Sequence, residues 1–249
     1  MRKSETHPKN LYASTENIKS VTLHISQQAS FFMIPALFFP EGISYYFTED
    51  QKDMSVLKPN ELMIVEKYGA KRMSDFCTGR YCLRKCMEPL GFDGEILVGE
   101  RGMPLLPTHI TASLSHSKTL CGAIAGHKEQ FQSLGFDIET CGRVHTDMWR
   151  LLFTKNETEF LNSLDTERRN LLSTVFFSLK EAFYKLQYPL TGVFLDFPEV
   201  EVMVENDELH VKLLRRVNGH FTEGLLTGGR MLHHNEQVIT YCVLPAITA

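Results

Sequence analysis

Two acidic side chains with spacing suited to catalysis or metal binding stand in the run SLGFDIET, residues 133 to 140. The run is otherwise typical of a buried strand, in which Asp137 and Glu139 point to the same face and Ile138 to the other. Like charges this close repel or share a proton, unless a cation lies between them. The pair alone is a weak signal, because an edge strand with one solvated face would produce the same pattern.

A third carboxylate lies on a predicted helix, TERRNLLSTVFFSLKEAFYKLQ, residues 166 to 187. On a helical wheel the apolar residues form one stripe, with Glu181 opposite it and Lys185 one turn further along. An isolated Glu/Lys pair at this spacing is usually a solvated surface ion pair. Together with the two strand carboxylates, Glu181 would instead provide a third oxygen ligand for Mg²⁺. The remaining coordination positions of this ion are usually filled by water and phosphate.

The composition is that of an ordinary globular chain. With 249 residues, 43% of them hydrophobic, the chain can bury a sizeable core. Its formal charge of -4 gives no overall attraction for nucleic acid or an anionic membrane, so any anion site must be local. The six cysteines lack the two-residue spacing of a zinc knuckle, which favours reduced thiols and a cytoplasmic location.

The N-terminal residues predict neither targeting nor membrane insertion. They are polar and lack the apolar core of a signal peptide. The later apolar run FFMIPALFFP is short and is interrupted by Pro35, so it does not predict a membrane span.

Changes in hydrophobic period divide the chain into two α+β halves, residues 1–128 and 129–249, without a visible internal repeat. The first half is predicted to contain strands around 19–27, 94–99, 110–116 and 120–126 and a helix around 71–88. The second half is predicted to contain the strand with Asp137, helices around 146–164 and 166–187, a hairpin turning at Asn206 and Asp207, and a closing strand QVITYCVL.

Three ordered motifs, SLSHS, LGFDIE and SLKEAFYK, resemble those of the 4'-phosphopantetheinyl transferases of the surfactin-synthetase and enterobactin synthase component D type. The resemblance covers roughly residues 72 to 198. It implies a pseudo-twofold monomer of two similar α+β halves, with coenzyme A in the cleft between them. It also implies transfer of the phosphopantetheine arm from coenzyme A to a serine of an apo acyl or peptidyl carrier protein, with release of adenosine 3',5'-bisphosphate.

The resemblance assigns roles to the residues of the last two motifs. Asp137, Glu139 and Glu181 are the expected Mg²⁺ ligands. Glu181, Lys185 and Asp137 are the expected catalytic residues, with Glu181 accepting the serine proton directly or through a metal-bound water. Lys185 is expected to contact the α-phosphate, and Lys180 belongs to the same K-E-A-x-x-K signature as a cofactor-binding residue.

The resemblance also implies that the G-x-P turn at residues 102 to 104 contacts coenzyme A. Gly102 and Pro104 would shape a close backbone approach to the nucleotide, which a residue without Cβ permits. Met103 occupies a position where related chains commonly carry lysine. The neighbouring Arg101 is the candidate replacement for that phosphate contact.

The S-H-S motif and the basic stretch at 67 to 85 supply the remaining candidate cofactor contacts. His116 resembles the histidine that contacts the 3'-phosphate of coenzyme A, with Ser115 beside it. On the predicted helix, Arg80 falls within the apolar stripe and so needs either an internal carboxylate or a ligand phosphate as a partner. Both alternatives remain open from the sequence, and Arg72 is expected at the margin of the same site.

Two other functions are compatible with these residues. One is a non-catalytic module of the same fold that binds coenzyme A or a carrier protein. The other is a Mg²⁺-dependent phosphohydrolase, since paired carboxylates also position water, although no additional Asp/His-rich signature supports it.

Overall fold

The computed structural model describes residues 38–219 and 221–246, so the strand predicted around 19–27 lies outside the described residues. The first half contains β1 (Ser44–Thr48), α1 (Pro59–Val65), α2 (Ala70–Met87), β2 (Ile110–His116) and β3 (Cys121–His127). The second half contains β4 (Phe131–Thr140), α3 (Trp149–Leu152), α4 (Lys155–Asn162), α5 (Thr166–Thr191), β5 (Val200–Glu205), β6 (Glu208–Leu213), β7 (Leu226–His234) and β8 (Gln237–Pro245). The predicted α+β class is confirmed.

Each half is one antiparallel sheet covered by one long helix. The first sheet has the strand order β1-β3-β2, and the second has the order β4-β8-β7-β6-β5. Helix α2 packs on the first sheet and α5 on the second. The other faces of the two sheets meet through a shared apolar cluster that includes Ile124, Phe136, Ile138 and Ile239. The layers are therefore helix, sheet, sheet and helix.

Most of the predicted elements are present, and the exceptions have local causes. The segment 94–99 forms only an isolated bridge between Val98 and Pro104. The helix predicted over 146–164 is broken, because Thr154 adopts extended backbone as the N-cap of α4, with Glu157 completing a capping box. The hairpin turns at Asn206 and Asp207 as predicted, with positive φ at both residues.

A buried ion pair fastens the first half internally. Glu61, at the third position of α1, has no exposed surface and accepts the N–H of Lys58 at 2.9 Å, which caps its own helix. The same carboxylate accepts the N–H of Ile96 at 2.8 Å and the guanidinium of Arg84 on α2 at 2.8 Å. One side chain thus connects a short helix, a long helix and an extended segment.

The second half repeats this arrangement. Glu157, at the third position of α4, is also fully buried and accepts the N–H of Thr154 at 2.7 Å. Its other partners are the N–H of Val202 at 2.7 Å and the ammonium of Lys180 on α5 at 2.7 Å. In each half the acid and the base are 23 residues apart. This shared pattern supports the similarity of the two halves, while the boundary between residues 128 and 129 remains a prediction.

No helix among residues 38–219 and 221–246 is long and apolar enough to span a bilayer.

Candidate active site

The site forms where α5 crosses β4. A Cβ on Gly135 would collide with the carbonyl of Ala182, so the glycine allows the helix to lie directly on the strand. Alternation along β4 then sends Asp137 and Glu139 toward α5, while Phe136 and Ile138 enter the cluster between the sheets. The predicted side-chain directions are thus confirmed. Both faces of β4 are covered, so the solvated-edge alternative does not apply.

Asp137 is the central acceptor of the site. Its Oδ1 accepts the ammonium of Lys185 at 2.8 Å and the hydroxyl of Ser115 at 2.8 Å, and its Oδ2 accepts the hydroxyl of Ser178 at 2.8 Å. Ser178 and Lys185 come from α5, whereas Ser115 comes from β2 of the other half. The Asp137 carboxylate, only 3% exposed, therefore joins the two halves.

Glu139 has a separate cationic partner. The Arg143 Nη1 lies 2.9 Å from one carboxylate oxygen and 2.7 Å from the other. Burial, followed by the nearby charge of Asp137, raises the pKa of the Glu139 carboxyl above its usual range, although Arg143 opposes this change. The like-charge repulsion inferred from the sequence is therefore present in the structure.

Of the three carboxylates of this cluster, Glu181 is the one to which no described residue donates a hydrogen bond. Burial, followed by the charge of Asp137, raises the pKa of Glu181, while Lys185 and Arg143 lower it. A desolvated carboxylate with a raised pKa and no donor is available to accept a proton. Three carboxylates face two cationic side chains, so the cluster carries a surplus negative charge.

The donor chemistry of this cluster fits Mg²⁺, but its arrangement does not yet form a coordination site. Carboxylate oxygens are the preferred ligands of this ion, and the surplus charge would favour it. Within the described part of the chain, no three His, Cys, Asp or Glu side chains are grouped closely enough to hold a metal. Lys185 and Arg143 occupy oxygens of Asp137 and Glu139, so coordination by those atoms requires these side chains to move.

Lys180 does not face the site. Its ammonium donates to Glu157, to the carbonyl of Leu152 at 2.8 Å and to the carbonyl of Phe197 at 3.0 Å, which uses all three N–H groups. The side chain is 1% exposed. The structure therefore gives Lys180 a structural role, and the predicted cofactor contact is not supported.

Arg80 is likewise committed to the protein interior. Its guanidinium donates to the carbonyls of Ile96 at 2.6 Å and Leu97 at 3.4 Å and lies 4.3 Å from the centre of the Phe76 ring. Burial lowers the pKa of Arg80 to about 10. Of the two alternatives left open by the sequence, an internal partner is favoured, although that partner is backbone carbonyl rather than a carboxylate.

The G-x-P turn reaches from the first half toward α5. Arg101 and Gly102 both have positive φ, 53° and 86°, and Pro104 pairs with Val98 across the turn. The Arg101 guanidinium lies 6.0 Å from the ring centre of Tyr188 on α5. Arg101 is thus close to the helix that carries Glu181 and Lys185.

His116 and Arg72 lie near the N-terminal end of α2. His116 is half-exposed, and its Nε2 lies 3.8 Å from a carboxylate oxygen of Asp75. Arg72 is exposed and stacks 4.3 Å above the ring of Tyr68. Neither side chain is buried, so both can meet a ligand. Their contact with coenzyme A remains a prediction.

Sequence reasoning missed two polar residues and an aromatic surface near the site. Arg143 follows Glu139 by four residues, but the chain turns between them, so the helical spacing rule could not identify the pair. Ser178 is fully buried and also hydrogen-bonds Thr240 at 2.8 Å. The exposed ring of Phe194 packs edge to face on Tyr184, beside Glu181, in a groove of mainly apolar side chains.

Comparison with known families places both parts of the chain in one superfamily. Residues 59–126 match the 4'-phosphopantetheinyl transferase N-terminal domain, and residues 133–242 match the 4'-phosphopantetheinyl transferase superfamily. The chain therefore belongs to the 4'-phosphopantetheinyl transferase superfamily, and it is an enzyme of this class.

Curated relatives carry the same name. The chain is 32% identical to 4'-phosphopantetheinyl transferase Svp of Streptomyces mobaraensis, over 79% of this chain and 78% of that one. It is 30% identical to Npt of Nocardia iowensis, over 69% and 76%. It is 28% identical to PptT of Mycobacterium tuberculosis, over 70% and 77%. All three relatives are named as transferases. Their names support neither of the two alternative functions, the non-catalytic binding module and the phosphohydrolase.

Proposed function

We propose that this enzyme transfers the 4'-phosphopantetheine moiety of coenzyme A to a serine of an apo acyl or peptidyl carrier protein, in a Mg²⁺-dependent reaction that releases adenosine 3',5'-bisphosphate. The observation that carries the proposal is the cluster of Asp137, Glu139, Glu181 and Lys185 at the junction of the two halves. A partly desolvated cluster of this kind can both accept a proton and meet developing phosphate charge.

In this reaction the serine oxygen bonds to the β-phosphorus, and the bond from that phosphorus to the bridging oxygen breaks. Glu181 accepts the serine proton, because its carboxylate is free of competing donors and its pKa is raised by burial. Lys185 donates to the α-phosphate of the leaving bisphosphate. Its side chain is 27% exposed and its Asp137 contact uses one N–H, so other N–H groups remain for the ligand.

Asp137, Glu139 and Glu181 would hold the Mg²⁺ ion. When bound, the ion neutralises charge on the non-bridging oxygens of the pyrophosphate. Ser115 and Ser178 keep the Asp137 carboxylate oriented toward the junction, so the chain itself fixes the position of one ligand before coenzyme A arrives.

The direct test is conversion of an apo carrier to its holo form. We expect the protein, supplied with coenzyme A and Mg²⁺, to add the phosphopantetheine mass to at least one member of a panel of apo acyl and peptidyl carriers, and we expect a chelator to abolish the addition. Intact-mass spectrometry provides the measurement. Absence of the added mass on every carrier, including carriers known to accept the group from a control transferase, would refute the proposal.

A second prediction concerns the nucleotide end of coenzyme A. Its charge does not change during transfer, so a residue that binds it contributes equally to ground and transition states and its loss mainly raises KM. One charge-assisted hydrogen bond at the low end of the usual range corresponds to about a 10-fold change. We therefore expect His116→Ala to raise the KM for coenzyme A about 10-fold with little change in kcat.

Dephospho-coenzyme A, which lacks the 3'-phosphate, is the control ligand for that prediction. Wild type should bind it more weakly than coenzyme A, whereas His116→Ala should hardly distinguish the two. Equal discrimination by the variant and wild type would show that His116 does not contact the 3'-phosphate.

The proposal extends to a monomer that acts in the cytoplasm. The carrier itself is left open, because fatty acid, polyketide, nonribosomal peptide and siderophore synthesis all use carriers of the required chemistry. The same panel of apo carriers measures this preference through relative kcat/KM values.

A further inference from the structure

Arg143 lies on the turn that follows β4, directly beside the carboxylate cluster. The backbone of this turn is fixed, because the N–H groups of Cys141, Gly142 and Arg143 donate to Glu236 O, Thr174 Oγ1 and Thr140 O, respectively. By contrast, the Arg143 side chain is 59% exposed. The guanidinium can therefore swing away from Glu139 without any movement of the chain that carries it.

The partner of Arg143 is far less accessible. The Glu139 side chain is 7% exposed. Among the described residues, only Arg143 donates hydrogen bonds to its two carboxylate oxygens. The charge of Asp137 opposes ionisation of Glu139, and the cations of Arg143 and Lys185 favour it. In the metal-free protein, Arg143 is thus the main counter-charge of a buried acid.

Asp137 differs from Glu139 in this respect. Its carboxylate is held by two serine hydroxyls as well as by Lys185, and all three donors come from packed strands or helices. Glu139 is therefore the carboxylate of the cluster whose counter-ion is most easily exchanged.

We propose that Arg143 is an internal counter-ion that a divalent cation must displace from Glu139, so that Arg143 lowers the affinity of the site for the metal. This inference rests on the proposed Mg²⁺ dependence. The displaced guanidinium has an aromatic surface nearby, since it already lies 6.0 Å from the ring centre of Phe177 on α5. Arg143 then acts as a positioning and affinity-setting residue rather than as a metal ligand.

The test measures binding of Mn²⁺ alone, without coenzyme A or carrier, by the loss of the free-ion signal in electron paramagnetic resonance. An ion pair with one exposed partner is weaker than a buried pair, so its removal should produce a moderate effect. We expect Arg143→Gln to bind Mn²⁺ roughly 2- to 5-fold more tightly than wild type, in line with the usual energies of such pairs. Arg143→Lys should lie between them, because a lysine keeps the charge but lacks the planar guanidinium.

The matched control is Arg150→Gln, which removes the same charge from an exposed position on α3. It should bind Mn²⁺ as wild type does. A second readout is thermal stability: Mn²⁺ should raise the Tm of Arg143→Gln more than that of wild type, which also shows that the variant is folded.

The possible outcomes separate this inference from the proposed function. Equal or weaker Mn²⁺ binding by Arg143→Gln, with wild type binding the ion, overturns the counter-ion role and leaves the proposed metal dependence intact. An equal gain in Arg150→Gln attributes the effect to general charge and also overturns it. If wild type and all variants bind no Mn²⁺ while carrier modification still requires a metal, the ion enters with coenzyme A, and displacement by the free cation is refuted.

Discussion

Replacing Glu181 by glutamine should lower kcat about 10²- to 10⁴-fold, the usual contribution of a general base. Glutamine preserves the size of the side chain and cannot accept the serine proton as a carboxylate does. The KM for coenzyme A should change much less than kcat. Steady-state transfer to one apo carrier, followed by intact mass, gives both constants.

The control for this variant is Glu167→Gln, an exposed glutamate in the first turn of the same helix. It should retain wild-type kcat. Near-normal turnover by Glu181→Gln would assign the proton transfer to another group and reduce Glu181 to part of a charged face.

The Glu181→Gln variant should not lose stability, and the pH dependence of its Tm tests the reason. Burial and the charge of Asp137 raise the pKa of Glu181 in the folded state above its unfolded value. The folded state therefore holds the proton more tightly, and stability declines as pH rises through the folded pKa. Glutamine removes that decline, so the metal-free Tm of Glu181→Gln should match or exceed wild type near neutral pH, with the difference vanishing below the usual glutamate pKa.

Asp137 provides an instructive contrast. Like-charge repulsion by itself predicts that removing Asp137 or Glu181 preserves or increases stability. The structure limits that expectation to Glu181, because the Asp137 carboxylate is the acceptor for Ser115, Ser178 and Lys185. Loss of Asp137 removes the acceptor of the buried Ser115 hydroxyl, one partner of Ser178 and the ion pair with Lys185, which is destabilising.

The second large effect concerns stability. Removing one member of a fully buried ion pair leaves an uncompensated charge and usually costs about 3–5 kcal/mol. We therefore expect Lys180→Met to lower the free energy of unfolding by about that amount, since Glu157 is buried and two carbonyls also lose their donor. Urea unfolding monitored by circular dichroism measures the change.

Two further variants make this prediction specific. The double variant Glu157→Leu/Lys180→Met should recover part of the loss, because no isolated charge remains. The exposed pair Lys155–Glu159, 3.6 Å apart on α4, is the matched control, and Glu159→Gln should leave the unfolding free energy nearly unchanged. A fully stable Lys180→Met with a raised KM for coenzyme A would instead restore Lys180 as a cofactor-binding residue.

The sequence predicted correctly those elements whose formation depends on residues close together in the chain. The long helices α2 and α5 follow from their apolar periodicity, and the β5–β6 hairpin follows from alternation around Asn206 and Asp207. The T-x-x-E sequence at 154–157 also carried the signal for the break before α4, but the longer helical pattern concealed it. Strand β7 is absent from the sequence-based predictions, because its two adjacent glycines weaken the strand pattern.

The part of the candidate site that could be predicted from the sequence is the set of carboxylates that lie within the family motifs. Asp137 and Glu139 were placed on the same face correctly, because strand alternation is a local property. The role of Lys180 was not, since its three acceptors come from separate segments that only the fold brings together. Arg80 shows the same limit, with carbonyls 16 and 17 residues away.

The matching ion pairs Glu61–Arg84 and Glu157–Lys180 have a consequence for the ancestry of the chain. Each acid caps a short helix and binds a base 23 residues further on, yet one base is arginine and the other is lysine. Such a correspondence is the trace expected when a single ancestral half is copied and its two descendants then diverge. The correspondence is visible in the equal spacing of the two ion-paired residues, although the amino-acid sequence shows no internal repeat. Descent of the two halves from one gene segment should therefore be sought by aligning their contacts.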